Sequence, residues 1–407
     1  MRILHINGYQ SPGRRFHGLA IAPLLVERGI QSHHLVWEHD KKEDRVSSIN
    51  HGWTRRLTKA VTSIERRLSI QSLLYPTARM ITRLDEFREA DVLHCHIIHS
   101  GYLSIHSLPW LSQLKPLIWT LHDPWALTGH CIYPGDCQRW KTGCGECPSL
   151  DSPLPLKADR TAYLFSQKKK AYAMLSADIV VASEWMLAKV RSSPLFRSPR
   201  LRIHHIPFGI DLDRFSPLGS LEARKQFDIP PHHVVLMFRA EGAFKGVPYI
   251  LKALESLRTD QPITLLTVGM KGVLGSFADR FGVVELGWTN DEDLLVSAFK
   301  ACDVFLMPST AEAFGVMAIE AMACGKPVVC FAGTSLPEII DAPRGGISVP
   351  MKDSAALSQA IADMVSSSEH RRRCGIAARR RAESMFSLPT HIERISELYH
   401  EVATRCA

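Results

Sequence analysis

Short apolar runs, each closed by a loop and followed by a helical pattern, recur through both halves of this chain, and that rhythm constrains its fold more than any other feature. The first half carries such runs at Met1 to Ile6, Asp91 to Cys95, Leu117 to Leu121 and Asp178 to Ala182, with a helical pattern over Leu19 to Arg28. The second half repeats them at His233 to Phe238, Ile263 to Val268, Asp303 to Met307 and Pro327 to Phe331. Strand-length runs alternating with helices indicate parallel strands joined by crossovers. At 407 residues the chain also exceeds the roughly 250 to 300 at which one core stops growing. The expected fold is α/β, with two Rossmann-like doubly wound domains: an N-terminal domain over 1–206 and a C-terminal domain over 207–386. Their join falls at IPFGIDLDRFSP, which gathers prolines, a glycine and acidic residues. Beyond it, His391, Ile392, Ile395, Leu398 and Val402 recur at helical spacing. Residues 387–407 are therefore predicted to form an amphipathic terminal helix that bridges the domains.

Composition narrows the class. A hydrophobic share of 45% with 22% charged residues fits a soluble globular protein. No apolar run approaches the roughly 18 residues that cross a bilayer, and MRILHINGYQ reads as a strand rather than a signal peptide. A cytoplasmic protein is expected, with its cysteines reduced: Cys95, Cys302, Cys324 and Cys330 stand alone in apolar stretches, unlike a disulfide framework. The net charge of +8 suits a nucleotide, an anionic lipid surface or a nucleic acid. With no repeat, zinc-finger pattern or RNA-binding aromatic signature, nucleic acid is set aside.

Open parallel sheets bind ligands beyond the carboxyl ends of their strands. After the run ending at Phe238 comes FRAEGAFKG, with Arg239 and Lys245 six residues apart and Gly242 and Gly246 permitting close backbone approach. Two fixed cations suit a diphosphate, whose charge grows as a bond to it breaks, and they stabilise it without a metal. Taken alone they are equally readable as solvated surface charges. The next block, PSTAEAFGVMAIEAMACGKP, puts Glu312 in a loop and Glu320 eight residues on, inside a helix that Phe314, Gly315 and Val316 are expected to begin. Backbone N–H groups and the helix dipole would favour phosphate there, and Glu320 could accept two ribose hydroxyls.

Together with VVELGWTNDEDLL, SLPEII and GGISVP, in this order, these blocks resemble the retaining nucleotide-sugar glycosyltransferases of the family 4 type, which have the GT-B fold of two domains facing across a cleft. The resemblance implies Arg239 and Lys245 at the diphosphate, Glu312 beside the donor sugar, Glu320 at the ribose and a phosphate cradle from the backbone of Phe314, Gly315 and Val316. Upstream, WTLHDPWALTGHCIYPGDCQRWKTGCGECPSL is similar to a bacterial exopolysaccharide subgroup of the colanic acid type. That likeness implies that His122 positions the donor sugar. Asp123 would then orient the His122 ring or bind acceptor hydroxyls, while His94 and His96 in VLHCHIIHSG are expected to line the same cleft. The family's glycine-rich first turn reads NGYQSPGRRFHG here: Gly13 remains as a donor-binding position, and Arg14 stands where a second glycine is usual. The implied reaction proceeds with retention by front-face displacement and requires no cofactor.

Two segments stand outside those motifs. Cys131, Cys137, Cys144 and Cys147 are crowded into one loop and end in CGEC, a set that either holds a structural zinc ion or packs as free thiols or a chance disulfide. Trp53 to Leu68 places Trp53, Leu57, Val61, Ile64 and Leu68 on one helical face among Arg55, Arg56, Lys59, Arg66 and Arg67. Such a helix lies on an anionic membrane or packs its apolar face into the first domain. Lys168 to Lys170 reads as a solvated helix face. The function expected is transfer of a hexose or deoxyhexose from a nucleoside-diphosphate sugar to a lipid-linked oligosaccharide, in exopolysaccharide or lipopolysaccharide biosynthesis on the inner face of the membrane. A GT-B enzyme with a small soluble acceptor and a nucleotide-sugar-binding regulator are the alternatives.

Overall fold

The computed structural model describes residues 1–10, 14, 16–151 and 153–405. The chain forms two compact units, Met1–Ile206 joined by the stretch from Ile392 onward, and Pro207–His391. Gly13, assigned above to donor binding, lies outside the described residues.

Among the described residues unit 1 holds a seven-stranded sheet made of β1 (Arg2–Tyr9), β2 (Gln31–Glu38), β3 (Val46–Ser48), β4 (Val92–Cys95), β5 (Leu117–Thr120), β6 (Ala177–Val181) and β7 (Leu201–His205). Their order is β3-β2-β1-β4-β5-β6-β7, and every pairing is parallel. β4, β5 and β6 are buried along their whole length, as central parallel strands covered on both faces must be. The order reverses between β1 and β4, which puts the ligand-binding crevice of this unit at their carboxyl ends.

Unit 2 repeats the plan with six strands among the described residues, β8 (Val234–Ala240), β9 (Ile263–Gly269), β10 (Gly282–Glu285), β11 (Val304–Met307), β12 (Val328–Phe331) and β13 (Gly346–Val349). The order is β10-β9-β8-β11-β12-β13, again parallel throughout. Here the switch point falls between β8 and β11. The sequence rhythm had not marked β2, β3, β10 or β13. These strands carry His33, His34, Ser47, Ser48, Glu285 or Ser348 inside short runs, so the apolar signal is interrupted.

The terminal helix, Leu388–Thr404, passes from unit 2 into unit 1 at Ile392. Within unit 1, Tyr399 Oη lies 2.8 Å from His94 Nδ1. Arg405 donates to Asp178 at 2.9 Å, and this carboxylate, 2% exposed, also pairs with Arg202 and His204. A buried carboxylate left without such partners costs several kcal/mol, roughly 3 to 5, so the tail is part of the unit 1 core.

Two expectations need correcting. Of the face proposed for the helix Gly52–Leu68, only Val61 is buried; the inward side is Thr54, Thr58, Val61 and Glu65. The reason is Glu65, whose carboxylate accepts the N–H groups of Ser72, Leu73 and Leu74 at 2.7 to 2.8 Å and must face the chain it caps. Trp53, Ile64 and Leu68 are left in solvent at 62%, 47% and 48% exposure. Lys168 is not solvated either: it is buried, and its Nζ donates to the Trp125 and Thr128 carbonyls at 2.5 and 2.9 Å.

Candidate active site

In unit 2 the loop after β8 is pressed against the loop after β11. Gly246 has φ of +75°, and a Cβ there would stand 2.0 Å from the Pro308 carbonyl oxygen, so only glycine allows the approach. The Thr310 N–H donates to the Phe244 carbonyl at 2.8 Å, which fixes the two loops together. As a result Lys245 Nζ reaches Glu312 Oε2 at 2.7 Å, with both side chains largely shielded. Ser335 braces the same loop, its hydroxyl donating to the Glu312 and Phe314 carbonyls at 3.2 Å.

The helix that follows runs Val316–Ala323, with Gly315 as its N-cap at φ +99°. Phe314 therefore precedes the helix rather than beginning it. Glu320 sits on this helix and is fully buried. Arg239, half-buried at the end of β8, lays its guanidinium over the Trp288 ring at 5.1 Å from the centroid. The switch point of unit 2 thus gathers a helix N-terminus, a cation already paired with a carboxylate, and a second cation stacked on an exposed indole. Cations and helix N–H groups so placed are the kind of donors a diphosphate requires.

In unit 1 the switch point is built from histidines. Sheet register aligns His34, His5 and His94 across β2, β1 and β4, and His96 follows two residues after His94 on the same side. His122, just beyond β5, points Nε2 at His96 Nδ1, 3.0 Å away. His96 Nε2 in turn lies 3.0 Å from His5 Nδ1, and the His5 ring stacks on His34 at 4.2 Å. Burial pushes the pKa values of His5, His34 and His96 well below 6.5, that of His17 down to about 4 and that of His122 down to about 3, so these rings are neutral at ordinary pH.

The Asp123 carboxylate lies 2.9 Å from His99 Nε2 and accepts the Trp125 N–H at 2.9 Å. Burial opposes its ionisation, but His99, the Trp125 N–H and His122 together hold the carboxyl below the usual range. His94 does not line a ligand cleft: its ring nitrogens meet Tyr399 Oη at 2.8 Å and Thr120 Oγ1 at 2.7 Å inside the unit. The sequence reading missed His5, His34 and His99. Alternate histidines on strand-length runs were the available signal, but only the register brings them together.

Beside His99 opens a cavity of about 320 Å³, lined by Tyr9, Thr62, Arg66, Gln71, Tyr75 and Ser100 among others. A neighbouring one of about 380 Å³ shares Thr62 and Arg66 and adds Lys59, Arg67 and Lys157. The first offers hydroxyl, amide and aromatic groups suited to a sugar; the second offers cations and no carboxylate. Cys131, Cys137, Cys144 and Cys147 line a third, much smaller cavity, and among the described residues every cysteine is a free thiol.

The family model Glycosyltransferase Family 4 matches residues 16–214, and the model Glycosyl transferases group 1 matches residues 221–381. WcaC of Escherichia coli (strain K12), a glycosyl transferase named for colanic acid biosynthesis, is 26% identical over 358 residues, covering 82% of this chain and 83% of that protein. A D-inositol 3-phosphate glycosyltransferase of Saccharomonospora viridis is 30% identical over 349 residues, 79% of this chain and 73% of its own. Among solved structures, a sucrose-phosphate synthase from Thermosynechococcus elongatus aligns with a TM-score of 0.73 at 17% identity, covering 99% of both chains. Anabaena HepE in complex with UDP-glucose gives 0.64 at 18% identity, over 98% of this chain and 100% of that one. At such identity these structures speak for the fold, two Rossmann-like units of the GT-B kind.

Proposed function

The chain belongs to the glycosyltransferases of family 4, and from that membership we propose that it moves a sugar from a nucleoside-diphosphate donor, with retention, onto a hydroxyl of a lipid-linked oligosaccharide in exopolysaccharide or lipopolysaccharide assembly. The observation that supports the donor half most directly is the Lys245–Glu312 ion pair held against the N-terminus of Val316–Ala323. A donor diphosphate takes Lys245 and Arg239 as counter-ions and the first N–H groups of that helix as hydrogen-bond donors, while Glu320 takes the ribose. As the anomeric bond breaks, charge grows on the departing phosphate, and cations already in place stabilise it without rearrangement. That phosphate also receives the acceptor proton, so the reaction uses no separate general base. His122, neutral and backed by His96, positions the donor sugar, and Asp123 lies beside it.

The acceptor half rests on unit 1. The helix Gly52–Leu68 exposes Trp53, Ile64 and Leu68 beside Arg55, Arg56, Lys59, Arg66 and Arg67, an arrangement suited to the surface of an anionic bilayer. The attachment proposed is peripheral, at the cytoplasmic face; among the described residues no helix is long and apolar enough to cross a membrane. The cavity pair next to His99 fits an acceptor that carries both a sugar and phosphate. A small soluble acceptor is the second reading, favoured by the likeness to an enzyme named for D-inositol 3-phosphate.

The deciding experiment incubates the purified protein with UDP-, GDP-, TDP- and ADP-sugars, with and without membrane lipid extract, and measures nucleoside-diphosphate release. Release from one donor, raised by lipid and lost in Glu320→Ala, is expected, with the product's anomeric configuration read by NMR. Stimulation by sugar phosphates instead of lipid would move the acceptor to the second reading. Tight donor binding without release under any condition would overturn catalysis in favour of a binding role.

A further inference from the structure

Just past β4, the chain sets His99 between two cavities of unit 1. One is the opening of about 320 Å³ that it shares with Tyr9, Thr62, Gln71 and Tyr75. The other, of about 10 Å³, is lined by His99 together with His96, His122 and Asp123 and has room for about one water molecule. His99 is the residue lining both, so it joins the larger cavity to the pocket of the histidine proposed to position the donor sugar.

Much of the larger cavity's polar lining is already engaged. Glu65 caps Ser72, Leu73 and Leu74. Gln71 donates to the Leu154 carbonyl at 2.6 Å and accepts the Trp125 indole N–H at 3.4 Å, and the Thr62 and Tyr75 hydroxyls meet at 2.9 Å. His99 is held at one end only. Its Nε2 lies 2.9 Å from Asp123 Oδ2, while Asp123 Oδ1 accepts the Trp125 N–H at 2.9 Å. The imidazole is tilted against the Trp125 ring, 5.0 Å between centroids. Both members of the pair are shielded, with side chains 12% and 13% exposed. Despite that burial, His99 and the Trp125 N–H keep the Asp123 carboxyl below its usual range. The oxygen facing the ring is therefore an acceptor, and a neutral imidazole carries its proton on Nε2 and its lone pair on Nδ1. Among the described residues Nδ1 meets no hydrogen-bond partner, and the ring borders the cavity.

We propose that His99, fixed by Asp123 with Nδ1 unprotonated, is the residue through which this cavity recognises the acceptor, its Nδ1 accepting a hydrogen bond from a hydroxyl of the acceptor sugar. The inference rests on the reading of unit 1 as the acceptor half and deepens it. Asp123 is a positioning residue: it accepts the Nε2–H and acts on the acceptor through His99. His99 itself takes no proton, because the attacking hydroxyl gives its proton to the departing phosphate. A shielded ring nitrogen that is left unpaired costs binding energy, so an acceptor lacking the hydroxyl at that point is rejected.

The tautomer is measured first, by NMR of full-length protein labelled with ¹⁵N-histidine at about pH 8, above the ordinary imidazole value. With the His99 resonances assigned by their loss in His99→Phe, Nδ1 is expected to have the shift of an unprotonated nitrogen and Nε2 that of a protonated one. In Asp123→Asn the amide oxygen keeps the Trp125 N–H and the amide N–H turns to the ring, so the pattern should reverse. A wild-type His99 with its proton on Nδ1 overturns the proposal, and this result stands even if the variants do not fold. Saturation-transfer NMR with a panel of methyl hexosides then reads sugar binding without donor or turnover. A signal from one glycoside, lost in its deoxy analogue at a single position and lost in His99→Phe, supports the assignment. No signal from any glycoside, or one undiminished in His99→Phe, overturns it. With lipid extract as acceptor, His99→Phe and Asp123→Asn should each raise KM for the acceptor about tenfold more than KM for the donor. If no donor is turned over at all, the transferase reading fails, while the tautomer and glycoside measurements still decide this one.

Discussion

At the scale of single residues, the proposed donor site was the most legible part of the chain. Arg239, Lys245, Glu312 and Glu320 stand in wording that resembles a known family, and the structure adds the contact between Lys245 and Glu312. Removing a preorganised cation should be felt in turnover: Lys245→Ala is expected to lower kcat by about 10² to 10³ while leaving the melting temperature near that of the wild type. A fall in melting temperature with unchanged kcat would reduce the pair to a loop tether. Glu320→Ala should weaken nucleoside-diphosphate binding by roughly ten- to a hundredfold, the worth of hydrogen bonds to a charged group, as read by calorimetry. The histidines were less legible, because His5, His34 and His94 belong to three separate strands and no local pattern joins them. His122, with its pKa near 3, stays neutral through the working range, so the pH profile of kcat/KM should show no limb near the ordinary imidazole value of 6.5.

At the scale of elements, local sequence gave strands and helices more reliably than it gave their orientation. The helical spacing of Trp53, Leu57, Val61, Ile64 and Leu68 was real, yet which side faced the protein was decided by Glu65 capping Ser72 to Leu74, a contact that spacing along one helix does not reveal. Because Trp53, Ile64 and Leu68 are exposed, replacing all three with serine should leave thermal stability within about 0.5 kcal/mol per site. The same change should abolish co-sedimentation with anionic vesicles, and undiminished sedimentation would refute the membrane surface. Gly246 carries the opposite kind of constraint. Gly246→Ala forces a Cβ onto the Pro308 carbonyl and parts the two loops, so donor affinity should fall sharply even in protein that remains folded.

At the scale of the whole molecule, the even β-α rhythm and the length were enough for two doubly wound units. Acid should distinguish the units. As pH falls below 6.5, an unfolded chain takes up protons that His5, His17, His34, His96 and His122 refuse in the fold. Stability of unit 1 therefore declines from about pH 6.5 down toward pH 4 and 3, where His17 and His122 would protonate in place. Each group contributes up to about 1.4 kcal/mol per pH unit within its window. Denaturant melts at pH 7.5, 6.5, 5.5 and 4.5 should show that slope, and a flat profile would mean the rings are not buried neutral. The terminal helix adds a matter of timing. A ribosome releases β1 to β7 long before it releases the helix that seats Tyr399 against His94 and Arg405 against Asp178. The unit begun first is thus the one closed last, and a premature stop a few codons from the end would be felt near the chain's beginning.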